Sequence, residues 1–222
     1  MSKGVFVTAT GTDVGKTYIT ALLVKKMRES GYNTGYYKAA LSGAESVSDS
    51  DAGYVNRIAG IGQNEDTLVS YIYKTAVSPH LAARLEGNPP DLDRIAADYA
   101  EVSRNYDYIA AEGSGGIVCP VRWDDSAHIL LEDVIRKLGL GAVIVADAGL
   151  GTINSAVLTA EYMKNRNIEV RGIILNRFNG SIMHCDNAAM IEELAGVPII
   201  AKVGENDEDI NASGELLETL FR

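Results

Sequence analysis

Short β-branched runs alternate with longer segments of helical periodicity along the chain, and this alternation restricts the possible folds more than any other feature. The near-continuous apolar run at 142–146 is typical of a strand that is buried on both faces. The pattern predicts strands at 4–8, 34–38, 108–112, 142–147, 170–176 and 197–203. It predicts helices at 17–30, 92–106, 129–138, 152–166 and 182–195. We therefore expect an α/β fold with a mostly parallel sheet flanked by helices on both faces.

Length, charge and cysteine content narrow the class of protein. With 222 residues, 46% of them hydrophobic, and no linker-like stretch, the chain is predicted to form a single domain over residues 1–222. A net charge of −10 disfavours nucleic acid as a partner. No apolar run approaches the ~20 residues of a membrane span, and the chain begins directly with a predicted strand, so we expect a cytoplasmic protein without a membrane partner. Cys119 and Cys185 are predicted to be reduced thiols.

Residues 10–17 read Thr-Gly-Thr-Asp-Val-Gly-Lys-Thr and lie between the first predicted strand and the first predicted helix. Backbone N–H groups at such a turn can point at phosphate oxygens, and the helix dipole favours negative charge there. Gly15 would let the backbone approach, Lys16 would place a charge on the phosphates, and the Thr17 hydroxyl could ligate Mg²⁺. Thr10 replaces the first glycine of the strict phosphate-loop pattern, so a chance Gly-Lys-Thr is the alternative. The strand–turn–helix order favours a P-loop NTPase-like fold that binds a nucleoside triphosphate.

Polar residues follow several other predicted strands. Lys38 ends the second strand and Ser42 comes shortly after it, Glu112 ends the third, and Asn176 ends a later one. Because ligands of open parallel sheets bind beyond the carboxyl ends of the strands, these residues are expected to line one site. Lys38 has two interpretations, as a solvated residue at a strand end or as a second cation facing a transferring phosphoryl group.

Two acidic residues are candidate Mg²⁺ ligands beside the Thr17 hydroxyl. Mg²⁺ prefers few carboxylates together with phosphate and water oxygens, so Glu112 and one further acid would complete such a site. Asp51 could be that acid or the N-cap of a helix. The residues alone therefore indicate Thr17 and Glu112 as metal ligands and leave open whether Asp51 is a ligand, an N-cap or both.

These motifs together resemble the dethiobiotin synthetase family. The matching segments occur in the family's order over positions 4 to about 205: residues 11–17, Tyr37-Lys38 with Ser42, Ser50-Asp51, Ser78-Pro79-His80, residues 112–116, residues 149–154 and Asn176. The resemblance implies an ATP-dependent cyclo-ligase of biotin biosynthesis that acts as a homodimer with Mg²⁺. Its substrates would be 7,8-diaminopelargonic acid, CO₂ and ATP, and its products dethiobiotin, ADP and phosphate.

The same resemblance implies roles for individual residues. Lys16, Lys38 and Ser42 would act on the reacting groups. The nucleotide and its metal would be bound by Thr12, Asp13, Val14, Gly15, Lys16, Thr17, Asp51, Glu112, Gly115, Asn176, Val203, Gly204 and Glu205. The diamine would be bound by Thr12, Lys38, Ser42, Gly151, Thr152 and Asn154. The helix start at residues 151–154 would hold the substrate carboxylate across the dimer interface, unless it is an ordinary capped helix.

Several alternatives stay open at this stage. One is a different ligase of the same fold, which would need a separate glutaminase subunit. Another is a switch-type P-loop ATPase that uses the nucleotide to control dimerisation. His80 has a catalytic interpretation as a general base and a structural one. The chain also departs from the family pattern at Ala9, Ala39, Ser155 and around Gly204, which leaves the base preference of the nucleotide site open.

Overall fold

The computed structural model describes residues 2–222 and is built on one seven-stranded sheet. Its strands are β1 (Lys3–Ala9), β2 (Thr34–Ser42), β3 (Val69–Tyr73), β4 (Tyr108–Glu112), β7 (Gly141–Asp147), β8 (Val170–Asn176) and β9 (Ile199–Lys202). The strand order is β3-β2-β4-β1-β7-β8-β9, and every neighbouring pair in it is parallel. A separate antiparallel pair is formed by β5 (Pro120–Trp123) and β6 (His128–Leu130). The predicted parallel α/β fold is confirmed.

Helices cover both faces of this sheet. They are α1 (Lys16–Glu29), α2 (Asp51–Ile58), α3 (Pro79–Glu86), α4 (Leu92–Val102), α5 (Leu131–Leu138), α6 (Thr152–Asn165), α7 (Ile182–Ala195) and α8 (Gly214–Glu218). One buried cluster packs α1, α2 and α8 against one face of the sheet. The other packs the helices from α3 through α7 against the opposite face. Tyr36 and Tyr37, two successive residues of β2, belong to different clusters, with Tyr36 on the α1 face and Tyr37 on the α4 face. No helix within residues 2–222 has the length and apolar character needed to cross a membrane.

All six predicted strands and all five predicted helices are present, but shorter elements were missed. The omitted ones are β3, the β5–β6 pair, α2, α3 and α8, each of no more than 8 residues. Segments of this length carry too few periodic positions to be distinguished from loops. The polar segment 43–50 forms the loop between β2 and α2, and the Asp91 side chain caps α4 by accepting from two backbone N–H groups.

Two local predictions are corrected by the fold. Lys38 does not end β2, because the strand continues through Ser42. Asp51 is not an N-cap: the Ser50 side chain caps α2, and Asp51 is the first residue of the helix. Strand register then decides which residues meet, since β2 pairs with β4 so that Lys38 lies opposite Glu112. The two side chains therefore project to the same face of the sheet.

Candidate functional site

The phosphate loop, residues 10–17, connects β1 to α1 and is contacted by Asn176 at the end of β8. Gly15 precedes α1 with a φ of 87°, in the left-handed region. A Cβ atom at this position would overlap with the side-chain amide of Asn176. That amide also donates from Nδ2 to the Val14 carbonyl at 2.9 Å. Glycine is therefore required at position 15 both by the backbone angle and by the close approach of β8.

Arg177 forms a second support for the loop, and the sequence motifs had given this residue no role. Its Nη2 donates to the Asp13 carbonyl at 2.7 Å, and its Nη1 lies 2.7 Å from Asp147 Oδ2 at the end of β7. Asp13 and Arg177 both have a φ near 60°, which is uncommon for residues with a side chain. The loop backbone is thus fixed to the ends of two neighbouring strands.

A buried carboxylate joins the two lysines. Glu112 is completely buried, and its Oε1 accepts from Lys16 Nζ, from Thr17 Oγ1 at 2.8 Å and from Lys38 Nζ at 3.1 Å. Lys38 also lies 2.7 Å from Asp51 Oδ2. The two ammonium groups converge, which agrees with the second interpretation of Lys38, but the anion between them in this structure belongs to the protein itself.

The electrostatics of this cluster follow from its burial and its composition. Burial by itself would raise the pKa of Glu112, but the ammonium groups of Lys16 and Lys38 outweigh it and lower the pKa to about 2. Burial lowers the pKa of Lys16, opposed by Glu112. For Lys38, burial also acts to lower the pKa, but Glu112 and Asp51 together raise it. Lys38 is thus the more firmly charged of the two, because it faces two carboxylates.

A cavity of about 260 Å³ opens above this cluster. It is lined by Gly11, Thr12, Asp13, Gly15, Lys16, Thr17, Lys38, Leu41, Ser42, Asp51, Ser114 and Gly115. Nine of the predicted site residues are thereby brought together around one space. Gly115 has a φ of 65°, and the Ser42 hydroxyl donates to the Val77 carbonyl at 2.6 Å. Hydroxyl and carboxylate oxygens line this cavity together with two ammonium groups, as phosphoryl transfer requires.

A second cavity of about 200 Å³ lies on the other side of the phosphate loop. Gly15, Tyr18, Asn176, Arg177, Glu205 and Asn206 line it. Asn176 is almost fully buried, and its Oδ1 has no hydrogen-bond partner although Nδ2 is engaged. An unpaired buried acceptor beside a cavity is suited to a ligand that donates a hydrogen bond.

The segment 203–205 contributes unequally to this second cavity. The Val203 N–H donates to the Leu175 carbonyl at 2.8 Å, and the Gly204 N–H donates to Asp207 Oδ2 at 2.6 Å. Their donors are therefore already used, and Glu205 is the member of the segment that lines the cavity.

The predicted substrate residues at the start of α6 lie apart from the main cavity. Gly151 and Asn154 line a different, mostly apolar cavity of about 480 Å³ on the surface. Thr152 is buried, and its hydroxyl donates to the Asp147 carbonyl. Around this cavity Leu150, Leu158 and Leu194 are 93%, 61% and 54% exposed. Within the chain, the predicted substrate residues thus form two groups.

His80 lies in a third location. Its Nδ1 is 3.1 Å from the Ser78 hydroxyl, and it lines a small cavity with Arg122 and Trp123. Of the two interpretations of His80, this position favours the structural one. Cys119 is buried and Cys185 is exposed, and both are free thiols in this structure.

The donor set of the metal prediction is suitable for Mg²⁺. Thr17, Asp51 and Glu112 supply only oxygen donors, which this hard cation prefers. Within residues 2–222 no group of three or more His, Cys, Asp and Glu side chains is arranged to hold a metal ion. Two carboxylates and a hydroxyl therefore make an incomplete shell, as is usual where substrate phosphates and water complete it.

A parallel α/β sheet with a phosphate loop between β1 and α1 places the protein in the class of P-loop nucleotide-binding proteins. The family described as "AAA domain" matches residues 3–213. The chain is also similar over its full length to ATP-dependent dethiobiotin synthetase BioD of Brachyspira hyodysenteriae, with 53% identity over 100% of both chains. The enzyme of the same name from Clostridium botulinum is 50% identical over 90% of this chain and 89% of its own. The chain belongs to the ATP-dependent dethiobiotin synthetase family.

Solved structures support the fold independently of sequence. The septum site-determining protein MinD of Pyrococcus horikoshii, complexed with Mg-ADP, has a TM-score of 0.58 at 17% identity and covers 99% of this chain and 96% of its own. A putative plasmid partition protein of Borrelia burgdorferi bound to AMPPNP has a TM-score of 0.58 at 12% identity, with 99% and 97% covered. At such low identity the likeness concerns the fold alone.

Proposed function

We propose that this protein is an ATP-dependent dethiobiotin synthetase, which joins 7,8-diaminopelargonic acid and CO₂ with cleavage of ATP in the cytoplasm. The observation that carries the proposal is the pairing of Lys16 and Lys38 beside a phosphate loop in a chain of this family. The reaction passes through a carbamate and an acyl phosphate, both anionic. Two ammonium groups at one cavity are suited to stabilising the charge of both.

The nucleotide would lie along the phosphate loop, with its base in the cavity beside β8. The start of α1 offers N–H groups and the positive end of the helix dipole to the phosphates. Asn176 Oδ1, buried and unpaired, would accept from the exocyclic amine of adenine. Because Nδ2 is fixed to Val14, the amide cannot rotate to offer a donor instead. A base with an amino group would therefore be preferred over one with a carbonyl group.

The chemistry would take place between Lys38 and the phosphate loop. One amine of the diamine attacks CO₂ and loses a proton to give the carbamate, whose oxygen attacks the γ-phosphorus of ATP and releases ADP. The second amine then attacks the carbamoyl carbon, its proton is taken up by the departing phosphate, and loss of that phosphate closes the urea ring. Lys38 would neutralise the carbamate and the transferring phosphoryl group, while Ser42 would contact the carbamate. Catalysis would depend mainly on positioning and on charge neutralisation.

Mg²⁺ would be held by Thr17, Asp51 and Glu112 together with phosphate oxygens. When bound, the ion supplies charge neutralisation and orients the β- and γ-phosphates. Glu112 Oε1 and Asp51 Oδ2 contact ammonium groups in this structure. We infer that these ammonium groups turn towards phosphate oxygens when the nucleotide and the metal bind, which frees both carboxylates.

A second copy of the chain would complete the diamine site. The exposed leucines around Gly151 and Asn154 form an apolar surface of the kind that protein interfaces cover. If this surface covers the mouth of the partner's main cavity, the N–H groups at the start of α6 can hold the substrate carboxylate. The homodimer implied by the family resemblance is then required for diamine binding.

The test is phosphate release from the purified protein with ATP, Mg²⁺ and bicarbonate, with and without 7,8-diaminopelargonic acid. We expect release to require the diamine and dethiobiotin to form in equal amount. The matched control omits bicarbonate after degassing, which should stop both products. Phosphate release that ignores the diamine would contradict the proposal and indicate a switch-type ATPase.

A further inference from the structure

We propose that Tyr36 is a positioning residue that holds Glu112 in the orientation needed at the metal and phosphate site. This inference rests on the proposed function, since it assigns Glu112 to that site. The Tyr36 hydroxyl donates to Glu112 Oε2 at 2.9 Å, and Tyr36 is 0% exposed. The other carboxylate oxygen, Oε1, receives Lys16, Thr17 and Lys38. The two oxygens of the Glu112 carboxylate therefore have different partners: Oε2 faces Tyr36, and Oε1 faces the phosphate loop and Lys38.

Strand register explains why Tyr36 reaches this carboxylate. β2 runs parallel to β4 with Tyr36 opposite Ala110 and Lys38 opposite Glu112. Tyr36 and Lys38 are two residues apart, so their side chains project to the same face as Glu112. Tyr36 is the diagonal neighbour of Glu112, at a distance that a long aromatic side chain can span. The hydroxyl thus approaches Glu112 from the side away from the phosphate loop.

The Gln63 side chain forms with the Tyr36 backbone the hydrogen bonds that a neighbouring strand would otherwise form. The Gln63 amide accepts from the Tyr36 N–H at 3.0 Å and donates to its carbonyl at 2.9 Å. β3 cannot make these bonds, because its pairing with β2 begins at Lys38. Gln63 in turn makes two backbone hydrogen bonds with the Asn56 side chain on α2, the helix that begins with Asp51. One hydrogen-bonded chain therefore connects α2, Tyr36 and Glu112.

The energetic consequence of this contact follows from the burial of Glu112. A buried carboxylate oxygen that loses its donor keeps the whole cost of its desolvation. The carboxylate can then rotate to share Oε2 with the nearby ammonium groups, which would withdraw Oε1 from its position at Thr17. Groups that orient a metal ligand commonly contribute tenfold or more to metal affinity. Tyr36 is expected to act in this way, without touching the substrate.

The test measures ADP binding to the Tyr36→Phe variant by calorimetry, once with Mg²⁺ and once with a chelator. We expect the gain in affinity that Mg²⁺ provides to fall about tenfold, while metal-free ADP binding changes less than about twofold. In turnover assays kcat should fall with little change in the KM of the diamine. An unchanged magnesium-dependent gain would overturn the inference.

Tyr37→Phe is the matched control. Tyr37 is the next residue of the same strand and is equally buried, but its hydroxyl faces the other side of the sheet, where it contacts Ser70 and the Ile95 carbonyl. Its loss should lower the melting temperature without changing the magnesium-dependent gain. If both variants lose that gain equally, the effect is a general loosening of β2 and the inference fails.

A double variant separates an effect through Glu112 from any other effect. In the Glu112→Gln background, Tyr36→Phe should cause no further loss of the magnesium-dependent gain. Without metal, Tyr36→Phe should lower the melting temperature less in that background than in the native one, because the hydroxyl no longer faces a charge. Additive effects of the two substitutions would overturn the inference.

The proposed function and the inference about Tyr36 can fail separately. A protein that forms no dethiobiotin, but whose Tyr36→Phe variant loses the magnesium-dependent gain, would overturn the synthetase proposal and support the role of Tyr36. A protein that forms dethiobiotin and whose Tyr36→Phe variant keeps that gain would support the synthetase proposal and overturn the role of Tyr36.

Discussion

Lys38 is the residue whose substitution best distinguishes catalysis from nucleotide binding. In Lys38→Gln the charge that would neutralise the carbamate and the phosphoryl group is lost, while the phosphate loop keeps Lys16. We expect turnover to fall by about 10²- to 10³-fold, with ATP binding nearly unchanged when measured by calorimetry. Lys16→Gln, the paired substitution, should weaken ATP binding itself. If Lys38→Gln abolishes ATP binding, Lys38 is a nucleotide ligand and this division of roles is wrong.

Glu112 should make the stability of the protein depend on pH in the acidic range. Its pKa is lowered from an ordinary value of 4.5 to about 2, so the folded state favours the charged form. This stabilisation is fully present above pH 4.5 and is lost as the pH falls towards 2. In the variant Glu112→Gln, we expect the free energy of unfolding at pH 7 to fall by about 3 to 5 kcal/mol, since two lysines lose their carboxylate.

Urea denaturation at several pH values measures this dependence. The difference between the native protein and Glu112→Gln should shrink between pH 4.5 and pH 2, where Glu112 becomes protonated. Glu132→Gln is a useful comparison, because Glu132 is also buried and lies away from the lysine cluster, near Arg136 and Arg166. A difference for Glu112→Gln that does not vary with pH would show that folding does not lower the pKa of this carboxyl group.

At the level of elements, the ends of β7 and β8 support the phosphate loop through Asp147 and Arg177. In Arg177→Gln the Asp13 carbonyl loses a charged donor, and the loop can leave its left-handed conformation at Asp13. We expect ATP affinity to fall about tenfold, in line with a charged hydrogen bond of about 1.5 kcal/mol. Calorimetry with ATP measures the effect.

The reciprocal substitution tests whether the two strand ends act together. Asp147→Asn should reproduce part of the loss, since Asp147 orients Arg177. Arg104→Gln is the control, because Arg104 is exposed and precedes β4, at the opposite end of the strands. Equal losses in the Arg104 and Arg177 variants would mean that net charge, and not support of the loop, determines ATP affinity.

At the level of the whole molecule, we expect a second copy to bind the apolar surface formed by Leu150, Leu158 and Leu194. Leu158→Glu would place a charge on the apolar cavity that Gly151 and Asn154 also line. We expect light scattering to show a monomer, the KM of the diamine to rise at least about tenfold and metal-free ADP binding to stay unchanged, because the phosphate loop is not at this surface.

Leu85→Glu provides the control for that experiment, since Leu85 is 62% exposed on α3, away from the cavity beside α6. This variant should keep both the dimer and the KM of the diamine. A dimeric Leu158→Glu variant, or a monomer with an unchanged KM, would contradict the role of the second copy.

The sequence by itself determined the parallel α/β fold and the phosphate loop, because both depend on local patterns. Strand and helix periodicity repeat over neighbouring residues, and Gly15, Lys16 and Thr17 are adjacent in the chain. The resemblance of ordered motifs also indicated the family, which the relatives confirm. Short elements such as α2 and β3 carried too little periodicity to be predicted.

The tertiary structure alone decided how the charged residues are paired. Lys16 and Glu112 are 96 residues apart in the chain, and Tyr36 and Glu112 are 76 apart. Contacts over such separations depend on strand order and register, which no local pattern specifies. The same reason explains why the contacts of Tyr36, Gln63 and Arg177 could not be predicted from the sequence, and why Gly151 and Asn154 lie apart from the main cavity. Sequence motifs indicated candidate residues of the site, whereas the partners of these residues are set by the packing of distant segments.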